Sequence, residues 1–301
     1  MSNINTGPLD APGIAVPPFR RALEALERFV GLFRYNLPGA IGAVILAVFI
    51  VLALFAPLIS PYDPNAQDLR ATLLPPSLDH LAGTDQYGRD LFSRLLYGAR
   101  TTLLIVLGVS VLVAPIGLVI GVVAGYFGGW TDRILMRIVD IFLSFPSLVL
   151  ALAFVAALGA GLQNAVFAIA LTGWPSIARL ARAETLTIRS SDYVAAARLY
   201  GARPLRVLWR HVVPLCLPSV LVRLTLNMAG VILTAAGLGF LGLGAQPPMS
   251  EWGTMISAGR RFMLDYWWVA TFPGLAILVT SLSFNLVGDT LRDALDPRVG
   301  R

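Results

Sequence analysis

Residues Asp192–Pro218, DYVAAARLYGARPLRVLWRHVVPLCLP, form a polar, arginine-rich island between sequences that read as membrane. Asp192, after Ser190 and Ser191, is placed to cap a helix, Tyr193–Tyr200 is helix-forming sequence, and Gly201 stands where a left-handed residue would end it. Pro204 is tolerated at the start of a second helix, in which Leu205, Leu208, Trp209 and Val212 recur at helical spacing against Arg203, Arg206 and Arg210. The expectation is helix, glycine turn, amphipathic helix, a surface on which another protein can dock.

Outward from this island the chain is apolar. Of 301 residues 56% are hydrophobic and 13% charged, with mean hydropathy +0.74, the balance of an integral membrane protein. All 23 basic residues are Arg, so no Walker A lysine, Schiff base or lysine general base is available. The single cysteine, Cys216, rules out a disulfide within the chain. His80 and His211, far apart in sequence, read as hydrogen-bonding residues at element ends and not as metal ligands. With no catalytic constellation, the chain is expected to be no enzyme and to carry no cofactor or metal.

Residues 1–34 divide into a Pro- and Gly-bearing tail and a segment in which Phe19, Leu23, Leu26, Val30 and Phe33 share a helical face. That helix either lies in the membrane interface or packs on its own protein. The region 35–301 is the membrane domain. At about 1.5 Å per residue and a core of about 30 Å, its uncharged runs accommodate six spans, at about 38–59, 101–126, 138–158, 163–181, 215–241 and 266–288. Ile141–Ala178 is too long for one crossing, so Gly159-Ala160-Gly161 is read as a turn between two. The loop 182–214 and the loops 60–100 and 242–265 then lie on opposite sides. Placing both termini in the cytoplasm puts 17 arginines inside and six outside, the orientation that the positive-inside rule favours.

Two motifs have competing readings. Gly237-Leu238-Gly239-Phe240-Leu241-Gly242 matches a dinucleotide fingerprint in letters, but it ends an apolar segment and lacks the strand and helix of a βαβ unit; close helix packing and an exit turn explain it better. Gly83–Asp90, GTDQYGRD, lacks the order of a calcium loop and reads as a loop before an amphipathic helix with Leu91, Phe92, Leu95, Leu96 and Ala99 inward. Asp140 and Arg223, the charges nearest bilayer depth, read as anchors, Asp140 pairing with Arg137 or Arg133.

Taken together, GTDQYGRDLFSRLLYGAR at 83–100, MRIVDIFLSFPSLVLA at 136–151, the 192–218 stretch, LGFLGLGAQPPMSEWGTMI at 238–256 and FNLVGDTLRDALDP at 284–297 resemble the permease subunits of bacterial ABC importers of the dipeptide, oligopeptide and nickel type, in particular the C-type permease of peptide importers. The resemblance implies an all-α membrane protein with the type I ABC importer transmembrane-domain fold. It also implies a cytoplasmic loop whose first short helix couples to an ATPase. Ala196, Ala197, Gly201 and Pro214 match that loop's pattern, with Asp192, Arg198 and Arg203 around them; Ala195 replaces its usual glutamate, His211 an isoleucine and Val213 a leucine.

The function so implied is to form half of a path for small peptides through the bacterial cytoplasmic membrane. The implied partners are two ATP-binding cassette subunits, a second homologous permease and an extracytoplasmic substrate-binding protein, with no nucleic acid. Nickel, glutathione or another small solute is the alternative cargo, and a stand-alone channel or secondary carrier the rival class. Thr225, Asn227, Thr234, Ser283 and Asn285 are polar positions in the spans that can line a path or hydrogen-bond between helices.

Overall fold

The computed structural model describes residues 36–295; the helix expected over Phe19–Phe33 and the C-terminal Arg298 and Arg301 lie outside the described residues. Helix α1 (Leu37–Ile59) begins where the Asn36 side chain accepts the Gly39 amide at 3.2 Å. A loop of turns follows and leads to α2 (Leu91–Phe127), capped by Asp90, whose Oδ2 accepts from the Ser93 amide and hydroxyl at 2.7 Å each. The sequence suggested an amphipathic helix before a separate span; the two are a single helix of 37 residues. Arg94 does not interrupt it, because its buried guanidinium donates to the Pro64 carbonyl at 2.9 Å.

Gly128 and Gly129, at φ 65° and 57°, reverse the chain into α3 (Gly129–Leu143), followed by α4 (Ser147–Leu158). The third span, expected as one element over 138–158, is thus a pair of helices bent by 91°. Pro146 accounts for the break: it has no amide to donate and disfavours helical conformation at Phe145. Gly159 and Gly161 adopt positive φ before α5 (Leu162–Arg189), which runs well past the expected span end at 181. Arg182 does not stop it, since its guanidinium donates two hydrogen bonds, at 2.5 and 2.7 Å, to the Asp132 carboxylate on α3.

Short helices α6 (Asp192–Leu199) and α7 (Pro204–Val207) come next. From α7 the chain continues without a break through a π turn at Leu208–Val212 into α8 (Val213–Phe240). The helix leading into the fifth span therefore starts at Pro204 and not near Leu215. The wide π turn ends two residues before Pro214, whose ring would otherwise strike the carbonyl one turn back. Helix α9 (Trp252–Gly259) and α10 (Trp268–Leu295) complete the described residues.

The most extensive helix contact is α2 on α5. Gly117, Gly121 and Gly125, four apart on α2, face Ile177, the Ala178 carbonyl and Thr185 on α5, so close that a Cβ at any of them would collide. In lipid this intimacy, and not apolar transfer, holds helices together. Helix α1 packs on α10 and α2; Gly39 meets Thr290 and Gly42 meets Leu286. Trp252 of α9 donates to the Leu95 carbonyl at 3.1 Å and lies over Gly98, fixing the short helix to the start of α2. Helices α1, α2, the continuous Pro204–Phe240 and α10 are long and apolar enough to cross a membrane, and the bent α3–α4 pair makes a fifth such element.

Candidate functional site

Helix α6 stands at the edge of the bundle on the side where α2 ends and α3 begins. Its N-cap is Ser191, and Asp192 is its first residue, so the cap lies one position before the one expected. Its other end closes as a Schellman motif: Gly201 at φ 77° donates to the Arg198 carbonyl at 2.9 Å and Ala202 to the Ala197 carbonyl at 3.1 Å. Val194 is the one fully buried side chain of the helix. Asp192, Ala195, Ala196 and Leu199 are exposed and share one helical stripe, whereas Ala197 is half-buried against the core.

Further exposed residues extend this surface. Leu199 is 89% and Tyr200 91% exposed, and Tyr193, Leu205 and Trp209 are exposed beside them. The inward face of 204–212 is Val207, Leu208 and Val212, each at most 1% exposed, so the expected apolar stripe of Leu205, Leu208, Trp209 and Val212 is corrected by a turn of the helix. Leu205 and Trp209 point outward with Arg203 and Arg206, which are also exposed. The sequence carried a signal for this surface, the adjacent Leu199-Tyr200 before Gly201, that reads as helix-forming residues until their exposure is seen. Pro214, exposed, lies in the first turn of α8.

Few contacts tie α6 to the bundle. The Arg198 guanidinium lies 5.2 Å above the Tyr126 ring, and the Tyr193 hydroxyl is 2.5 Å from His211 Nδ1. Nearby, Asp140 pairs with Arg179 of α5 at 2.6 Å and not with Arg137 or Arg133 of its own helix. Arg223 is exposed. The arginine-rich loop and the residues 126–140 therefore meet on one side of the molecule.

The polar span residues separate into two groups. Asn227 donates to Ser176 Oγ at 3.1 Å, linking α8 to α5, and Thr225 and Thr234 bond back to carbonyls of their own helix. Ser283 is wholly buried where Gly42 packs against its carbonyl, so it faces protein, while Asn285 is exposed.

At the other end of α2, the loop 60–90 folds on its own charges. Asp85 accepts from the Tyr87 and Arg89 amides and from Arg89 Nε at 2.6 Å, and Asp90 meets His80 Nδ1 at 2.9 Å. Both carboxylates of the GTDQYGRD stretch are thereby engaged. A cavity of about 440 Å³ lies between Asp85, Arg89 and Arg94 and the segment Pro247–Met249. Glu251 caps α9, accepting the Gly253 and Thr254 amides at 2.8 Å. Burial pushes its carboxyl above the usual range, against the opposing pull of those amides. Gly239 of the glycine motif is where Glu251 presses on α8, and Gly242, at φ 79°, makes the exit turn.

Residues 117–301 match the model of the binding-protein-dependent transport system inner membrane component, and residues 27–76 that of the N-terminal TM domain of oligopeptide transport permease C. The chain is 48% identical to the probable D,D-dipeptide transport system permease protein DdpC of Escherichia coli K12, over 86% of this chain and 87% of that one. It is 44% identical to the di/tripeptide transport system permease protein DppC of Pseudomonas aeruginosa UCBPP-PA14, over 99% of each. Among solved structures, a chain of the inward-facing MetNI methionine ABC transporter superposes with TM-score 0.56 at 22% identity, covering 70% of this chain and 98% of that one.

Proposed function

The chain belongs to the family of binding-protein-dependent transport system inner membrane components, and on that premise we propose that it is the permease subunit of an ABC importer of small peptides. The family is one of transport permeases embedded in the membrane, and the relatives over nearly the whole chain are peptide permeases. The fold is the all-α type I importer transmembrane domain. In our reading α5 is the sixth crossing beside the five elements named above, both termini are cytoplasmic, and a second, homologous permease completes the path. Thr225, Asn227, Thr234 and Asn285 remain the candidates to line it.

The observation that carries the coupling role is the apolar surface of α6. Leu199 and Tyr200 are almost fully exposed on a loop that also holds exposed arginines, on the arginine-rich side of the molecule. Burying a large apolar side chain from water contributes about 1.5–3 kcal/mol, so a partner that covers both has ample reason to stay. With no lysine for a Walker A loop, this chain draws on ATP hydrolysed by two partner ATPases, one of which grips α6. Movement couples only if those ATPases bind two conformations with different affinity. Closure of the ATPases would open the path outward to a substrate-binding protein.

The test is co-purification of the chain with its ATPases from membranes. Replacing Leu199 and Tyr200 together by Asp is expected to cut ATPase recovery by about 10-fold or more while leaving the permease inserted. Undiminished recovery with the double variant would refute α6 as the docking element.

A further inference from the structure

Resting on the reading of α6 as the docking helix, we propose that two side-chain pairs carry its movement into the membrane: Arg198 on Tyr126, leading into α2, and Tyr193 on His211, leading into α8.

The helix is poorly anchored otherwise. Val194 is its one fully buried side chain, and the Ser191 turn connects it to α5. Tyr193 and Arg198 lie on either side of Val194 in sequence, five residues apart and so about 140° around the helix axis. A tilt about the buried valine thus displaces the two contacts differently.

The Arg198 contact ends at the last turn of α2. Tyr126 is 7% exposed there and meets Phe127 edge-on at 5.4 Å. Arg189 reaches the same turn, donating to the Gly125 carbonyl at 3.4 Å. Two guanidinium groups therefore converge on a helix C-terminus, where backbone dipoles favour positive charge, and a cation over an aromatic face adds to that attraction. Because Tyr126 is buried, its ring is unavailable to a docked ATPase; it serves the inside of the joint.

The other contact ends on the π turn. Tyr193 and His211 combine the 2.5 Å hydrogen bond with rings at 5.2 Å and 71°. His211 lies within Leu208–Val212, where hydrogen bonding is wider than in an α-helix and can be re-paired locally. Val207, Leu208 and Val212 on the same segment are buried in the core, so a displacement taken up at His211 reaches α8. The isoleucine that the resemblance expects at position 211 could not form this hydrogen bond. In this chain the pair is a built-in positioning contact.

The experiment uses the complete complex in liposomes with its ATPases and its binding protein, supplied with a mixed dipeptide pool. It reads subunit co-purification, ATP hydrolysis and peptide taken up per ATP. Tyr126→Leu and His211→Leu are each expected to lower uptake per ATP about 3- to 10-fold with co-purification unchanged. Tyr126→Phe, which keeps the ring, and His211→Asn, which keeps a polar atom near Nδ1, are expected to restore most of it.

Leu variants that couple as well as the unaltered chain overturn the proposal alone. So do Phe and Asn variants that fail as badly as Leu, or Leu variants that lose the ATPases, because a structural or docking role would then suffice. An unaltered chain that recruits no ATPase overturns the docking reading itself, and this proposal with it.

Discussion

Glu251 is 3% exposed, yet both of its carboxylate oxygens are engaged at the start of α9, and Oε2 fills the space a side chain at Gly239 would need. Its pKa is raised by burial, which means the folded chain holds the proton more tightly than the unfolded one. Stability from this group is then greatest below the ordinary carboxylate range and falls as pH rises through the raised value. We predict that Glu251→Gln flattens the pH dependence of thermal unfolding in detergent above about pH 4.5. The amide has one acceptor oxygen for two backbone N–H groups, so at low pH, where Glu251 is protonated, the variant should be about 1 kcal/mol less stable, and the gap should narrow as pH rises. An unfolding profile parallel to that of the unaltered chain would remove Glu251 as the source of the slope. At this scale sequence was a partial guide. That Gly239 serves close packing followed from its apolar context, but the partner could not be named until α9 was placed against it. Proximity along the chain points Asp140 to Arg137 or Arg133 of its own helix, whereas its partner, Arg179, comes from α5.

Elements whose ends are set by local chemistry were the ones most legible beforehand. Gly201 ends α6 because the Schellman geometry requires φ 77°, and nothing lies within 4 Å of where its Cβ would be. Gly201→Ala therefore imposes backbone strain of about 1 kcal/mol and no clash, and Asn should cost less. The expected result is faster amide exchange at Tyr200–Ala202 and weaker ATPase recovery, with exchange in α2 and α5 unchanged; equal protection at Ala202 in the Ala variant would exclude the motif as the lock. The π turn was not legible, because hydropathy and helix spacing do not distinguish a wide turn from an α turn. Across it the buried face runs through Val207, Leu208 and Val212, and Leu205 and Trp209 stay outside. The break at Pro146 was written in the sequence, but the uncharged run around it reads as one crossing when charge alone is counted. Likewise, the four-residue spacing of Gly117, Gly121 and Gly125 announces close helix packing, while its partner face on α5 emerges only in three dimensions.

Across the whole molecule, α2 is the ruler. Its 37 residues extend about 55 Å, more than the hydrocarbon core of a bilayer. The loop 60–90 is fastened to its N-terminal end, where the Tyr62 amide donates to Ser93 Oγ at 3.2 Å and His80 holds Asp90 at 2.9 Å. Helix α6 is fastened to its other end through Arg198 and Tyr126. The two sets of contacts therefore lie at opposite ends of a helix longer than the bilayer core, and in the reading proposed above the arginine counts put the α6 end on the cytoplasmic side. The single cysteine makes this easy to test, since Cys216 is buried and Cys216→Ala yields a chain without thiols. In that background Leu78→Cys, at a position 96% exposed, should react with a membrane-impermeant maleimide applied from outside intact cells, and Leu199→Cys, at a position 89% exposed, should react only in inverted vesicles. Labelling of both from one side would break the argument from α2, whereas the reverse pattern would keep the separation and turn the orientation around. In the latter case no cytoplasmic ATPase could reach α6, so the labelling decides topology and coupling together.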